Sequence, residues 1–158
     1  MDQDYRIWLS GCRVFNLINI RQFMILFKTS ITGFEPKTAG HGEEVKRKEE
    51  LRDAILKEVN DLNKIKNCRG KDLSLNVCFN LFKDPKQSSK YEKDLDNLLK
   101  ILLDVLPEHI DNTEKRNFGL GLIDDNHDHR IFEIHCKKRL VTEITQEGLD
   151  IEVSEYIS

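Results

Sequence analysis

The chain has 158 residues, 39% of them hydrophobic and 34% charged, with a formal net charge of −3. That is the length of one domain with enough apolar matter for a core, which argues against wholesale disorder; eight glycines and three prolines without a period argue against collagen or repeat arrays. The net charge alone argues against a nucleic-acid partner, but it averages an uneven distribution: residues 94–158 carry fifteen acidic groups against seven basic ones, and residues 41–93 carry thirteen basic against ten acidic.

In chain order, residues 1–23 read as an N-terminal extension of unknown role ahead of a cleaner strand over 23–31. Gly33, Pro36, Gly40 and Gly42 then break the chain. Residues 43–66 follow a helical period, with Leu51, Ala54, Ile55, Val59 and Leu62 on one face and Gly70 as the stop. From 73 to 81, Leu73, Leu75, Val77, Phe79 and Leu81 alternate with smaller or polar residues, which predicts a half-buried strand. A lysine-bearing loop, 84–93, leads into a second helix with Leu95, Leu98, Leu99, Leu102 and Leu106 on its core face, closed by Pro107. Residues 108–117 read as a polar insertion. Residues 118–123 and 131–141 read as strands joined by an acidic turn, and 142–158 as an acidic tail. The order β-α-β-α-β-β over residues 24–141 predicts one α+β domain with a mixed sheet.

Cys12, Cys68, Cys78 and Cys136 form no CxxC pair and read as reduced thiols of a cytoplasmic protein. The apolar stretch from Ile7 to Phe27 is interrupted by Arg13, Asn16, Asn19, Arg21 and Gln22, which excludes a bilayer-spanning helix.

The chemistry concentrates in Asp94-Leu95-Asp96-Asn97-Leu98-Leu99-Lys100 and in Asp124-Asp125. Taken singly, the first is a capped helix start with an Asp96–Lys100 surface pair, and the second is a turn. Taken together, a helix start and a strand end can converge at one sheet edge, and three or four carboxylates then suit Mg²⁺. Two such ions about 4 Å apart activate water and stabilise the leaving oxygen of a phosphodiester, and Lys100 can offset transition-state charge. Other metals fit less well. Asp124, Asn126 and Asp128 begin like an EF-hand, but His129 and His135 occupy the Gly and Glu positions. His127, His129 and His135 match no standard zinc spacing. No phosphate-binding glycine loop or GxSxG elbow is present.

The helix start, its continuation Leu102-Leu103-Asp104-Val105-Leu106, the apolar run ending in Ile123-Asp124-Asp125 and the strand from Ile131 to Lys138 resemble the RusA family of Holliday-junction resolvases, crossover junction endodeoxyribonucleases of prophage type. The resemblance spans residues 24–141 and is strongest over 73–138. It implies a RusA-like domain in which Asp94, Asp96 and Asp125 ligate Mg²⁺, or Mn²⁺ in its place. Asp124 would be an accessory carboxylate and Lys100 the catalytic lysine. It further implies a homodimer, whose two-fold axis matches the pseudo-symmetry of a four-way junction and its two nicks. Where the family often carries arginines before the first Asp, this chain has Lys83, Lys86, Lys90 and Lys93, with which it would grip backbone phosphates.

The resulting expectation is a Mg²⁺-dependent endodeoxyribonuclease that resolves branched DNA in recombination and repair. Basic groups on the first helix (Lys46, Arg47, Lys48, Arg52, Lys57) would add phosphate contacts. The alternatives are a catalytically silent RusA-like module that binds branched DNA or a replication protein, and a small acidic adaptor whose aspartates only cap helices.

Overall fold

The computed structural model describes residues 24–38, 44–86, 93–108, 110–111, 116–117, 119–124 and 128–158. The expected extension 1–23, Lys90 and Asp125 lie outside the described residues, as do Cys12 and His127.

β1 (Met24–Thr32) is followed by α1 (Glu44–Glu58), α2 (Leu62–Lys66), β2 (Leu73–Phe82) and α3 (Leu95–Val105). A two-residue hairpin, β3 (Ile110–Asp111) with β4 (Arg116–Asn117), lies inside the expected polar insertion. β5 (Ile131–Val141) and β6 (Gly148–Glu155) complete the fold. The fold is α+β: a four-stranded mixed sheet in the order β1-β6-β2-β5, with β2 and β5 parallel and β6 antiparallel to both its neighbours. Among the described residues, no helix is long and apolar enough to cross a membrane.

The apolar positions of the sheet face a single helical layer. Phe27 and Ile31 of β1, Leu75, Val77 and Phe79 of β2, and Leu149, Ile151 and Val153 of β6 are buried against Leu51 and Ile55 of α1 and Leu98, Ile101, Leu102 and Val105 of α3. At roughly 25 cal/mol per Å² of apolar surface, this layer is the main source of stability.

Three expectations are corrected. The single helix over 43–66 is two helices: α1 stops at Glu58, and Asp61 caps the start of α2, where its Oδ1 accepts the Asn63 N–H at 2.9 Å. An Asp side chain that bonds a nearby backbone N–H competes with helix continuation. Residues 119–122 form no strand; the segment docks by backbone bonds on the end of α3, and Ile123 makes an isolated parallel bridge with Pro107. Finally, the segment expected to trail away as an acidic tail enters the sheet between β1 and β2 as β6.

β6 works as a strand because Leu149, Ile151 and Val153 alternate with Asp150, Glu152 and Ser154. The apolar set goes under the helices, and the acids go to the open face and find cations there. Lys28 of β1 bonds Glu152 at 2.8 Å, and Ser30 donates to Asp150 at 2.7 Å. Arg139 of β5 reaches Asp150 at 3.2 Å and Asn80 of β2 at 2.8 Å. Glu147 is buried; its side chain accepts the Phe82 N–H and its carbonyl accepts the Phe34 N–H. Gly148 sits between Thr32 and Asn80, where a Cβ would lie 1.8 Å from the Ile31 carbonyl oxygen.

A chain ending at Gln146 therefore loses cooperative unfolding, and Gly148→Ala lowers stability by about 3 kcal/mol. Thermal melts followed by circular dichroism check both. A truncated chain that melts like the full one would make the segment a tail after all.

Candidate metal and phosphate site

α3 begins where the sequence places its signal. The Asp94 carbonyl accepts the Leu98 N–H at 3.1 Å, but the Asp94 side chain makes no capping bond. Asp96, in the first turn, is exposed, and so is Lys100 one turn on. The Asp96–Lys100 pair that their spacing allows is not made: among the described residues, Asp94, Asp96 and Lys100 have no hydrogen-bond or ion-pair partner. Neither carboxylate thus serves as a side-chain cap. Both project near the positive end of the helix dipole.

The surroundings are paired. Lys48 of α1 bonds Glu44 at 2.9 Å and Asp104 of α3 at 3.0 Å. Burial pulls the Lys48 pKa down, but its bonds to those two carboxylates outweigh burial and raise it. The Lys48 hydrogen bond and charge lower the Glu44 pKa, and the Lys100 charge adds to this. A line of alternating charge thus ties α1 to α3 and ends at Lys100.

The backbone just before Asp94 is held from two sides. Lys93 bonds Glu35 at 3.0 Å and also the Pro36 carbonyl, while Lys138 of β5 donates to the Lys93 carbonyl at 2.8 Å. Lys93 is thereby committed to its own chain, with 14% of its side chain exposed, and is a positioning residue rather than a free phosphate cation. Lys83 and Lys86 are exposed, and an Asx turn from Asp84 to the Lys86 N–H shapes their loop. On α1, Arg47 donates to the Thr38 carbonyl and Arg52 pairs with Asp53, whereas Lys46 and Lys57 point to solvent. Lys138 was not singled out by sequence; its one signal was its place on the strand after the acidic turn.

Asp124 lies at the other end of α3. Leu120 and Leu122 donate to the Val105 and Leu106 carbonyls at 2.7 and 2.9 Å, and Glu108 donates to the Ile123 carbonyl at 2.9 Å. Eleven helical residues span roughly 16 Å, so this segment and the Asp94 end are well separated within one chain. The expected convergence of Asp94, Asp96 and Asp124 does not occur within a single chain, and the described residues contain no group of three or more His, Cys, Asp or Glu placed to hold a metal. Arg69 holds the Asp124 end. It donates to the Gly121 carbonyl at 2.8 Å, pairs with Glu108 at 3.2 Å and lies 3.8 Å from Asp124. Gly121 has φ +67°, and a Cβ there would sit 2.7 Å from the guanidinium.

Among the described residues Cys68, Cys78 and Cys136 are free thiols, and burial pushes Cys68 up to about 11. The donors at the α3 start are hard oxygens. Two carboxylates suit one Mg²⁺ that retains several waters, and a two-ion cluster needs further carboxylates from elsewhere. No known family model matches this chain, and no curated protein matches it.

The Arg69 clamp makes a measurable prediction. Gly121→Ala lowers stability by about 2 kcal/mol, from the left-handed backbone and the guanidinium clash together. In an Arg69→Ala background the same change costs less, because the clash is gone. Urea unfolding of the four proteins in the cycle reads the difference.

Proposed function

We propose that the protein is a Mg²⁺-dependent endodeoxyribonuclease acting on branched DNA, with Asp94, Asp96 and Lys100 at its reactive centre. The observation that carries this reading is the state of the charges. The acids around α3, Glu35, Glu44 and Asp104, are ion-paired, while among the described residues Asp94 and Asp96 make no ion pair or hydrogen bond and Lys100 acts on Glu44 only through its charge. Unspent carboxylates at a fixed spacing suit a cation, and an unspent lysine suits an anion.

Bound at Asp94 and Asp96, Mg²⁺ would neutralise phosphate charge and lower the pKa of a coordinated water. Asp94 and Asp96 would orient that ion through a helix start whose backbone Lys93 and Lys138 hold rigid. Lys100 would donate to a non-bridging phosphate oxygen and stabilise charge developing in the transition state. Lys83 and Lys86 would contact neighbouring phosphates and set register without reading bases. Asp125 and its accessory Asp124, assigned to the metal by the RusA resemblance, could reach the site only from a second chain, because Asp124 lies a helix length from Asp94.

A second reading is favoured by the placement of Asp124. If the two acidic groups never meet, the protein is a RusA-like module that grips branched DNA without cutting it.

A synthetic four-way junction with Mg²⁺ separates the two. The nuclease reading expects paired nicks, abolished by Asp96→Asn with junction binding retained, and roughly a hundredfold slower cutting in Lys100→Ala at unchanged affinity. Retained binding with no cleavage in Mg²⁺ or Mn²⁺ establishes the silent module.

A further inference from the structure

The end of the sheet where β1 begins and β6 finishes is apolar and open. Met24, Ile25, Phe132 and Ile157 are between 52% and 57% exposed, four of the nine large apolar side chains exposed among the described residues. The strand register gathers them. Met24 and Ile25 stand opposite Glu155 and Ser154, and Glu155 stands opposite Leu73, the partner of Ile131. Phe132 stacks on Tyr156 with ring centroids 5.1 Å apart, which fixes an aromatic surface at the same end. From β1 across to β5 is three strand spacings, roughly 14 Å.

The charges beside this surface are paired within the fold. Lys71 bonds Glu155 at 2.6 Å, and Arg130 bonds Asp72 at 3.0 Å. What remains here to recognise an occupant is apolar area, and exposed apolar side chains gathered in this way mark an interaction surface. The other exposed aliphatics are spread out: Val45 on α1, Leu62 on α2, and Leu140 and Ile144 towards the opposite end of the sheet.

An occupant of matching chemistry joins the fold at this point. Residues 1–23 run directly into β1 at Met24. Their sequence is rich in large apolar side chains, Trp8, Phe15, Leu17, Ile18 and Ile20 among them, while arginines and asparagines interrupt it too often for a bilayer span. Such side chains gain by leaving water, and the open end of the sheet gains by being covered. A segment tethered at Met24 meets that surface at an effective concentration in the millimolar range, which a free partner would have to match in solution. Reach is no obstacle, since a chain spans roughly 3.3 Å per residue and Trp8 lies well upstream of Met24.

We propose that residues 1–23 dock on their own domain, with Trp8 and the aliphatic side chains between Val14 and Ile20 covering Met24, Ile25, Phe132 and Ile157. The segment that reads as an extension of unknown role is then the missing cover of the sheet's apolar end. The proposal is independent of the nuclease reading. Lys138, which holds the backbone before Asp94, is six positions from Phe132 along β5, roughly 20 Å away.

Trp8 is the one tryptophan of the chain, so its fluorescence reports on this segment alone. In the full chain at micromolar concentration, Trp8 emits to the blue of the same chain in urea and is shielded from iodide. The double variant Ile25→Ser/Phe132→Ser moves the emission at least half of the way to the urea value and restores quenching, with the sheet intact by circular dichroism. Each single variant moves it part of the way, so the test survives if the double variant fails to fold. Ile144→Ser, at an equally exposed position near the other end of the sheet, leaves the emission where it was. A native emission equal to the urea value overturns the proposal. So does a blue emission that ignores both Ile25 and Phe132, because Trp8 is then buried elsewhere. A blue shift that is lost on dilution to nanomolar concentration also overturns it, because the cover then comes from a second copy.

Discussion

The insertion of Gly148–Glu155 between β1 and β2 is the constraint on which the rest of the structure depends. Among the described residues β1 pairs with no other strand of the sheet, and β6 also fills the side of β2 opposite β5. The strand is doubly specified. Leu149, Ile151 and Val153 close the core beneath α1 and α3, while Asp150 and Glu152 neutralise Lys28 and Arg139 across the open face. A one-residue slip would put three aliphatic side chains in water and three polar ones, two of them carboxylates, in the core, so the register has one solution. The close approach at Gly148 and the buried Glu147 then pin where the strand begins.

That sheet sets the position of α3, and α3 sets the distance between the acidic groups. The helix lies on α1 through Leu98, Ile101, Leu102 and Val105, with the Lys48 bridges to Glu44 and Asp104 at its rim. Its start is gripped by Lys93 and Lys138 and its end by the backbone of 120–123 and the Arg69 clamp. Both acidic groups are thus rigidly presented, at opposite ends of one helix.

Legibility in the sequence followed the strength of local periodicity. The alternation of 73–81 and the leucine stripe of 95–106 are strong because each repeats five times, and both elements form close to their expected limits. Over 43–66 the apolar period runs unbroken through Asn60-Asp61, so it carries no sign that α1 stops at Glu58 and that Asp61 caps a new helix. β6 was hidden by its own charges. Its alternation is as regular as that of β2, but five acids without a lysine or arginine over 140–158 resemble a solvated tail until the cations that pair with Asp150 and Glu152 are seen on β1 and β5.

For the candidate site the division is similar. Local chain order is enough to place the chemically competent groups: Asp94, Asp96 and Lys100 lie within two turns of one helix, and that depends only on helix geometry. Which of the neighbouring charges are already spent depends on the folded arrangement. Lys93 goes to Glu35, Asp104 to Lys48 and Asp124 to the surroundings of Arg69, while Asp94 and Asp96 have no partner among the described residues. It also decided that Asp124 sits a helix length away from them. Those ion pairs join residues 50 or more positions apart, and a charge written in a sequence carries no record of what will stand opposite it once the chain has folded.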